Sequence, residues 1–155
     1  MPAVMTMKAL AESLSTMSGL EVLKAMTALE YGPPSIGGLM GMRYDEVEFG
    51  RVVFSLTTGP DFANPLGSVH GGVCATLLDS VMGCAVHSTL EAGVGFGTLE
   101  LKVNYIRTVP TDGRRLTATG TIIHIGRTTA TAEGRVVDEE GRLVAHATTT
   151  CMIHR

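Results

Sequence analysis

The chain has 155 residues, which is enough for one domain with a substantial hydrophobic core and too few for a second full domain. Hydrophobic residues make up 45% and charged residues 17%, a balance typical of folded globular proteins and unlike that of disordered chains. The net charge of -3 argues against nucleic acid as the main partner, because phosphate binding favours a concentrated basic surface.

The cysteines and the N-terminal residues indicate a cytoplasmic protein. Cys74, Cys84 and Cys151 have no paired spacing, so a disulfide framework is not expected. No stretch reaches the ~20 apolar residues that a membrane-spanning helix requires. The first residues, MPAVMTMKALAES, lack the continuous apolar core of a signal peptide. We therefore expect a cytoplasmic location without membrane contact.

The first third of the chain predicts a helix followed by two strands. Residues 19–34, GLEVLKAMTALEYGPP, carry apolar residues at near-helical spacing, and the helix is expected to end at Gly32 before two prolines. Residues 39–58, LMGMRYDEVEFGRVVFSLTT, indicate two strands that turn at Gly50. Within one domain over residues 1–155, we expect a helical extension over about 1–32 and a core over about 38–153.

Alternation of apolar and polar residues dominates the chain from residue 97 onwards. Residues 98–107, TLELKVNYIR, have the period of a half-buried strand, with one face formed by Leu99, Leu101, Val103 and Tyr105. Turn signals near Gly113, Gly126 and Gly141 divide the remainder into three further segments of ~10 residues. The pattern predicts an antiparallel sheet of five to six strands.

A long helix is predicted over residues 71–91, and it is apolar on nearly every face. It begins at Gly71, and Gly93 lies just beyond its end. Asp79 lies in its middle, where a carboxylate without a partner is costly to bury. An alternative makes residues 73–78 a buried strand and Asp79 the cap of a following helix. Residues 80–84, SVMGC, argue against this because they are poor in helix formers.

Mostly small residues surround Asp79 on the predicted helix. At 100° per residue, the positions within about 60° of it are Gly72, Ala75, Thr76, Met82, Gly83 and Val86. Because most of these side chains are small, a neighbouring strand, a second subunit or a substrate can approach the carboxylate.

Polar groups just before the helix indicate acyl chemistry. Asn64 offers an amide, and three glycines lie around His70, where backbone N–H groups of a helix N-terminus point at a developing negative charge. One such donor typically lowers a reaction barrier by ~3 kcal/mol. A desolvated carboxylate at Asp79 supplies a base or a nucleophile.

These residues resemble a known family. The string NPLGSVHGG at residues 64–72, followed after six residues by Asp79, is similar to the signature of hotdog-fold acyl-CoA thioesterases of the PaaI-like (phenylacetate pathway) group, which includes the mammalian thioesterase superfamily member 2. The resemblance extends to GTLELKVNYIRTVP, to Gly126-Arg127 and to DEEGRLVAHATTTCMI, and covers roughly residues 40–153.

The resemblance implies an α+β hotdog fold, in which the sheet wraps around a long central helix. It further implies that Asp79 is the catalytic carboxylate, acting as general base on water or as nucleophile. Asn64 would position the substrate or the water, and the N–H of Gly71 would polarise the thioester carbonyl. Thr98 lies where related enzymes carry a serine or threonine that helps to orient the water.

The resemblance also implies an assembly with active sites at the subunit interface. Two protomers would pair through their sheets, and paired dimers would form a homotetramer. Asp79 would come from one chain and Asn64 and Gly71 from the other, so a monomer is expected to be inactive.

Coenzyme A would enter as part of the substrate, and no separate cofactor is expected. The turn formed by Gly126, Arg127 and Thr128 resembles the nucleotide-contacting turn of the family. Arg107 is a weaker companion candidate. Arginines at strand ends are also commonly just solvated, so the sequence leaves both arginines as candidates.

His70 is a site candidate in two roles. It can act as general base, or it can hydrogen-bond within the turn that presents the Gly71 amide, which is the role we expect. A metal site is not expected, although His70, Cys74, Cys84 and His87 are ligand types. On a continuous helix the outer pair would lie ~25 Å apart, whereas zinc ligands lie ~2 Å from the ion.

Two other functions remain open at this point. A hotdog hydratase acting on enoyl or hydroxyacyl thioesters normally carries the pattern D-x-N-P-x-H, whereas Asp61 and His70 are nine residues apart here. A non-catalytic acyl-CoA binding module would keep the fold without turnover, and Asp79 would be unusual in its apolar helix. The sequence also leaves the acyl group open between aryl and fatty acyl.

Overall fold

The computed structural model describes residues 6–29 and 34–155, which form four helices, one 3₁₀ turn and six strands. In chain order these are α1 (Met7–Leu14), α2 (Gly19–Thr27), α3 (Ile36–Leu39), β1 (Arg43–Glu48), β2 (Arg51–Thr57), the 3₁₀ turn (Pro60–Phe62), α4 (Gly71–His87), β3 (Gly95–Tyr105), β4 (Arg115–Ile125), β5 (Thr129–Val137) and β6 (Leu143–His154).

One antiparallel sheet with the strand order β1-β2-β4-β5-β6-β3 wraps around α4. The helix contacts five of the six strands. Its core-facing side chains are fully buried, and they include Leu77, Leu78, Val81, Met82 and Val86. The predicted α+β hotdog fold is therefore confirmed. The β1–β2 hairpin turns at Gly50, as predicted, with a positive φ of 76°.

The helix predicted over residues 71–91 begins at Gly71 as expected and ends earlier, at His87. Ser88 is its C-cap: the Ser88 N–H donates to the carbonyl oxygen of Cys84 at 2.8 Å, and the Ser88 hydroxyl donates to the carbonyl oxygen of Ala85 at 2.7 Å. Asp79 lies inside this continuous helix, so the alternative in which it caps a second helix is wrong.

The N-terminal helical prediction is confirmed for α2, which starts from a capping box. The N–H of Ser18 donates to the Glu21 carboxylate at 2.7 Å, and the N–H of Glu21 donates back to the Ser18 hydroxyl at 3.4 Å. The helix ends at Thr27. Gly32, its predicted end, lies outside the described residues, as do residues 1–5. Among the described residues, no helix is long and apolar enough to cross a bilayer.

The regular alternation predicted for residues 98–107 is interrupted between Thr98 and Glu100. The pairing of β3 with β6 shifts there, which is a β-bulge. Leu99 is consequently 55% exposed instead of lying in the core. The same irregularity turns Thr98 towards α4, where its hydroxyl reaches Asp79.

Two glycines on neighbouring strands allow the sheet to approach α4 closely. Gly120 of β4 and Gly134 of β5 are cross-strand partners. A Cβ at position 120 would lie 2.4 Å from the backbone oxygen of Val81, which cannot move without distorting the helix. A Cβ at position 134 would meet only side-chain atoms, with the Leu78 and Met82 side chains both 3.0 Å away.

We expect Gly120→Ala to lower the free energy of unfolding by about 1–3 kcal/mol or more, because the added methyl group overpacks against backbone atoms. Gly134→Ala is the matched control and should cost less, since flexible side-chain ends can move aside. Urea unfolding of both variants at one protein concentration measures the difference. Equal losses would contradict the assignment of Gly120 as the closest contact between helix and sheet.

Candidate active site

Asp79 has a specific partner on the adjoining strand. The hydroxyl of Thr98 donates to Oδ1 of Asp79 at 2.9 Å. Asp79 is half-buried on α4 and Thr98 is exposed on β3. The second carboxylate oxygen receives no hydrogen bond from the described residues. Asp79 therefore presents an oriented carboxylate with one oxygen available to water or substrate.

A cavity of about 850 Å³ opens beside this pair. It is lined on the α4 side by Asp79, Ser80, Gly83 and Cys84 and closed by side chains from α2, β1, β2 and β3. The apolar part of the wall includes Met26, Met42, Tyr44, Phe54 and Phe96. The carboxylate thus lies at the side of a space large enough for a substantial acyl group. The sequence indicated small residues near Asp79, but it did not indicate the aromatic residues facing them.

The loop before α4 shapes the start of the helix. His70 is the N-cap, and its Nδ1 accepts the N–H of Gly72 at 2.9 Å. The ring proton therefore resides on Nε2. The N–H of His70 donates to the carbonyl oxygen of Phe62 at 2.8 Å. These bonds fix the loop against the helix, which is the arrangement expected for a structural role of His70.

The N–H of Gly71 finds no acceptor within the part of the chain that the structure describes. It is the first helical residue, where the helix dipole favours negative charge. Tyr105 also contacts Gly71: its hydroxyl donates to the Gly71 carbonyl oxygen at 3.0 Å. A Cβ at position 71 would lie 3.1 Å from the tyrosine ring. Tyr105 was not identified as a site residue from the sequence, where it is one more apolar position of a strand.

Asn64 organises the loop with most of its side chain. Its Oδ1 accepts the N–H groups of Leu66 at 2.9 Å and Ser68 at 3.2 Å, and its Nδ2 donates to the Ser68 hydroxyl at 3.0 Å. One N–H of the amide remains for a ligand. Asn64 thus sets the loop conformation as well as offering a donor.

Within one chain, the site candidates fall into two separate groups. Asn64, Gly71 and Arg107 line a second cavity of about 250 Å³ together with Tyr105. Asp79 lies eight residues further along α4, which corresponds to about 12 Å at 1.5 Å per residue. An oxyanion donor must lie ~2.7–3.1 Å from the reacting oxygen. The Gly71 amide and the Asp79 carboxylate of the same chain therefore cannot act on one carbonyl group.

The turn between β4 and β5 carries the candidate nucleotide contacts. The N–H of Gly126 donates to the carbonyl oxygen of Thr129 at 2.8 Å, and the carbonyl oxygen of Thr128 accepts the N–H of Ile153 at 2.9 Å. Arg127 is exposed on this turn. Nε of Arg155 donates to the carbonyl oxygen of Arg127 at 3.2 Å, which brings a second guanidinium group to the turn. No local pattern in the sequence identified Arg155. Arg107 lies elsewhere, in the second cavity.

The cysteines are not nucleophile candidates. Burial raises the pKa of Cys74 to about 11. Burial, with a smaller contribution from the charge of Asp79, raises the pKa of Cys84 to about 12. Both thiols are therefore protonated at neutral pH. Residues 6–29 and 34–155 contain no cluster of three or more histidine, cysteine or acidic residues placed to hold a metal ion.

Comparison with known proteins identifies the family. A family model described as Thioesterase superfamily matches residues 66–145. The chain belongs to the thioesterase superfamily. A solved structure of a phenylacetic acid degradation-related protein from Ralstonia eutropha is 30% identical, with a TM-score of 0.75, and the match covers 83% of this chain and 97% of that one. The resemblance to the PaaI-like group is therefore confirmed.

Two further proteins match this chain over shorter stretches. The medium/long-chain acyl-CoA thioesterase YigI of Escherichia coli is 33% identical over 98 residues, which are 55% of this chain and 62% of YigI. An esterase-named protein of Halobacterium salinarum is 40% identical over 73 residues, and the match spans 46% of each chain. The chain therefore spans about half to three fifths of the length of these two relatives.

The role of the free N–H of Gly71 can be tested by a substitution that removes this N–H. Position 71 is the first helical residue and follows His70 at φ -61° and ψ 136°, a conformation that accepts a following proline. Gly71→Pro should leave the fold intact and lower kcat for thioester hydrolysis by ~10²-fold, the typical cost of one lost oxyanion donor.

Gly71→Ala is the matched control, because it adds the same Cβ against Tyr105 and keeps the N–H. Steady-state kinetics and circular dichroism of both variants give the comparison. Equal loss of activity in the two variants would assign the effect to crowding of the tyrosine and would remove Gly71 from the chemistry.

Proposed function

We propose that the protein hydrolyses acyl-CoA thioesters to a free carboxylic acid and coenzyme A. The observation that carries this proposal is the Thr98–Asp79 hydrogen bond of 2.9 Å beside the large cavity. An aspartate on an otherwise apolar helix is costly unless it has a partner, and here the partner also orients it. Membership of the thioesterase superfamily supports the same reaction class.

In the proposed site, Asp79 and Thr98 of one copy meet Gly71 and Asn64 of a second copy. Asp79 removes a proton from water, or attacks the thioester carbon itself. The N–H of Gly71 stabilises the negative charge that develops on the carbonyl oxygen. Asn64 uses its remaining N–H to position the substrate or water, and His70 holds the Gly71 turn in place.

The need for a second copy is supported by the separation of the two groups within one chain and by the exposed edge of the sheet. β3 is an edge strand, and an unpaired edge favours pairing with another strand. Apolar side chains are exposed along and just beyond it, at Leu99 (55%), Tyr105 (55%) and Ile106 (53%). We propose a homodimer through this edge, and a homotetramer built from two dimers.

The proposed substrate carries its coenzyme, so no further cofactor takes part. Hydrolysis of a thioester consumes only water and releases a thiol and an acid. Gly126, Arg127 and Thr128 form the proposed nucleotide-contacting turn, and Arg107 is a second candidate beside Asn64. The exposed guanidinium of Arg127 suits a phosphate group. The cytoplasm, where thiols stay reduced, is the proposed location.

The first test is free-thiol release from phenylacetyl-, benzoyl-, hexanoyl- and palmitoyl-CoA. We expect turnover by the parental protein, and a fall of ~10²-fold or more in kcat for Asp79→Asn, because a positioned proton-transfer group is lost. Asp61→Asn is the matched control, since Asp61 is exposed in the 3₁₀ turn and has no proposed role. Asn64→Ala should cause a smaller loss than Asp79→Asn.

Parental rates in Asp79→Asn would contradict the mechanism. Equal loss of activity in Asp61→Asn would show that the effect is not specific to Asp79. Absence of turnover on every substrate, with the protein folded and oligomeric, would favour an acyl-CoA binding module or a hydratase.

The shared site predicts that two inactive variants restore each other. A mixed dimer of Asp79→Asn and Gly71→Pro contains one site with both defects and one site with neither. Random pairing should therefore restore about a quarter of parental kcat. The two variants are unfolded together, refolded as a mixture and assayed, with each variant refolded alone as the control. Activity no higher than the average of the two controls would contradict a site built from two copies.

A further inference from the structure

Gly83 is a glycine in the interior of α4 with no conformational reason to be one. Its φ lies outside the positive range that favours glycine. A glycine at such a position destabilises a helix by ~1 kcal/mol relative to alanine. It lies one turn after Asp79 on the same face, and both residues line the large cavity. Because glycine lowers the stability of the helix here, we infer that the absence of a side chain at position 83 is needed for the shape of the cavity.

The missing side chain makes room beside Phe96. A Cβ at position 83 would lie 3.2 Å from Cε2 and 3.5 Å from Cζ of that ring. The ring also contacts the imidazole of His87, with the ring centroids 5.4 Å apart. The Phe96 backbone is held by pairing with Ile153 of β6. The ring is thus supported from behind, and a methyl group at position 83 would take its space from the cavity.

The cavity also has an aromatic part, which we call the chamber. Tyr44 and Phe54 form its wall in an edge-to-face pair with centroids 4.4 Å apart. Burial raises the pKa of Tyr44 to about 12, so its phenol stays neutral at physiological pH. The neutral thiol of Cys84 lines the same space. These surroundings suit an uncharged hydrocarbon or aromatic group.

The distance along α4 from Asp79 to Gly83 corresponds to a length of acyl chain. Four residues separate Gly83 from Asp79 along the helix, which is ~6 Å at 1.5 Å per residue, the length of about five methylene groups in an extended chain. An acyl group whose thioester carbon lies at Asp79 therefore reaches the level of Gly83 with about its fifth or sixth carbon.

We propose that Gly83 is a specificity-determining residue, which allows uncharged acyl groups longer than about five carbons to pass Phe96 and occupy the chamber lined by Tyr44 and Phe54. The proposal rests on the proposed thioesterase function and names the substrate class of that site. Acyl groups of four carbons or fewer end before the glycine and do not depend on it.

The test compares kcat/KM for octanoyl-CoA and butanoyl-CoA in the parental protein and in Gly83→Ala. The ratio of octanoyl to butanoyl kcat/KM should fall by about 10-fold or more in the variant, the scale on which one misplaced methyl group changes discrimination. The urea midpoint should stay equal or rise, because alanine is the better helix former. General damage to the fold would lower the urea midpoint. A lower kcat/KM ratio with an unchanged or higher midpoint would therefore be a change in specificity.

Two controls connect the effect to the Phe96 contact. Gly134→Ala adds a methyl group from the sheet side of α4, where it meets Leu78 and Met82, and it should leave the ratio unchanged. In a Phe96→Leu background, Gly83→Ala should change the ratio less than it does alone, because the contact that couples the two residues is gone.

Each outcome decides one question. An unchanged ratio in Gly83→Ala, or an equal loss with both substrates, would overturn the role of Gly83 while the thioesterase function stands. A full effect of Gly83→Ala in the Phe96→Leu background would overturn the route through Phe96. Absence of turnover of both substrates by the parental protein would overturn the thioesterase function and this inference with it.

Discussion

The structure depends on enclosing α4, a helix that is apolar on nearly every face. Its buried side chains require contacts on all sides, and a single sheet provides them by curling around the helix. The curl is tight because Gly120 lets β4 approach the helix backbone. At Asp79 the bulged part of β3 contacts the helix through Thr98, and the large cavity lies beside this contact.

The length of α4 also explains why the candidate catalytic groups of one chain lie apart. The free N–H groups of a helix lie at its start, whereas a carboxylate protected from water lies near its middle. These two requirements place Gly71 and Asp79 about 12 Å apart on one helix. In the proposed dimer, a second copy would bring the start of its own helix to the first carboxylate. In the proposed enzyme, assembly and catalysis therefore share one cause.

Much of the fold follows from the sequence because its periodicities are regular. The hairpin at Gly50, the start of α4 at Gly71 and the strand turns at glycines all lie where the pattern predicts them. Leu99 is the instructive failure, since alternation predicts a core position and the bulge exposes it. The bulge has no signal in the sequence because it serves the Thr98–Asp79 contact, a tertiary interaction.

The positions of the candidate site residues were predictable where a local signature marks them and not where distant segments meet. Asp79, His70 and Gly71 lie within one short stretch, and the structure places His70 and Gly71 at the start of the helix that carries Asp79. Tyr105 and Arg155 reach their places only through strand pairing, on segments far along the chain. A tyrosine in a strand and an arginine near a chain end are both common, so no local pattern marks these two residues as part of a site.

Two separate parts of the sequence line the large cavity. The stretch shared with the superfamily, residues 66–145, contains Gly71, Asp79 and Thr98. Met26, Met42, Tyr44 and Phe54, which form much of the opposite wall, precede it. The proposed acyl pocket therefore takes part of its lining from a segment outside the shared stretch. In the proposed enzyme, substitutions in this earlier segment can change the acyl specificity without altering Gly71, Asp79 or Thr98.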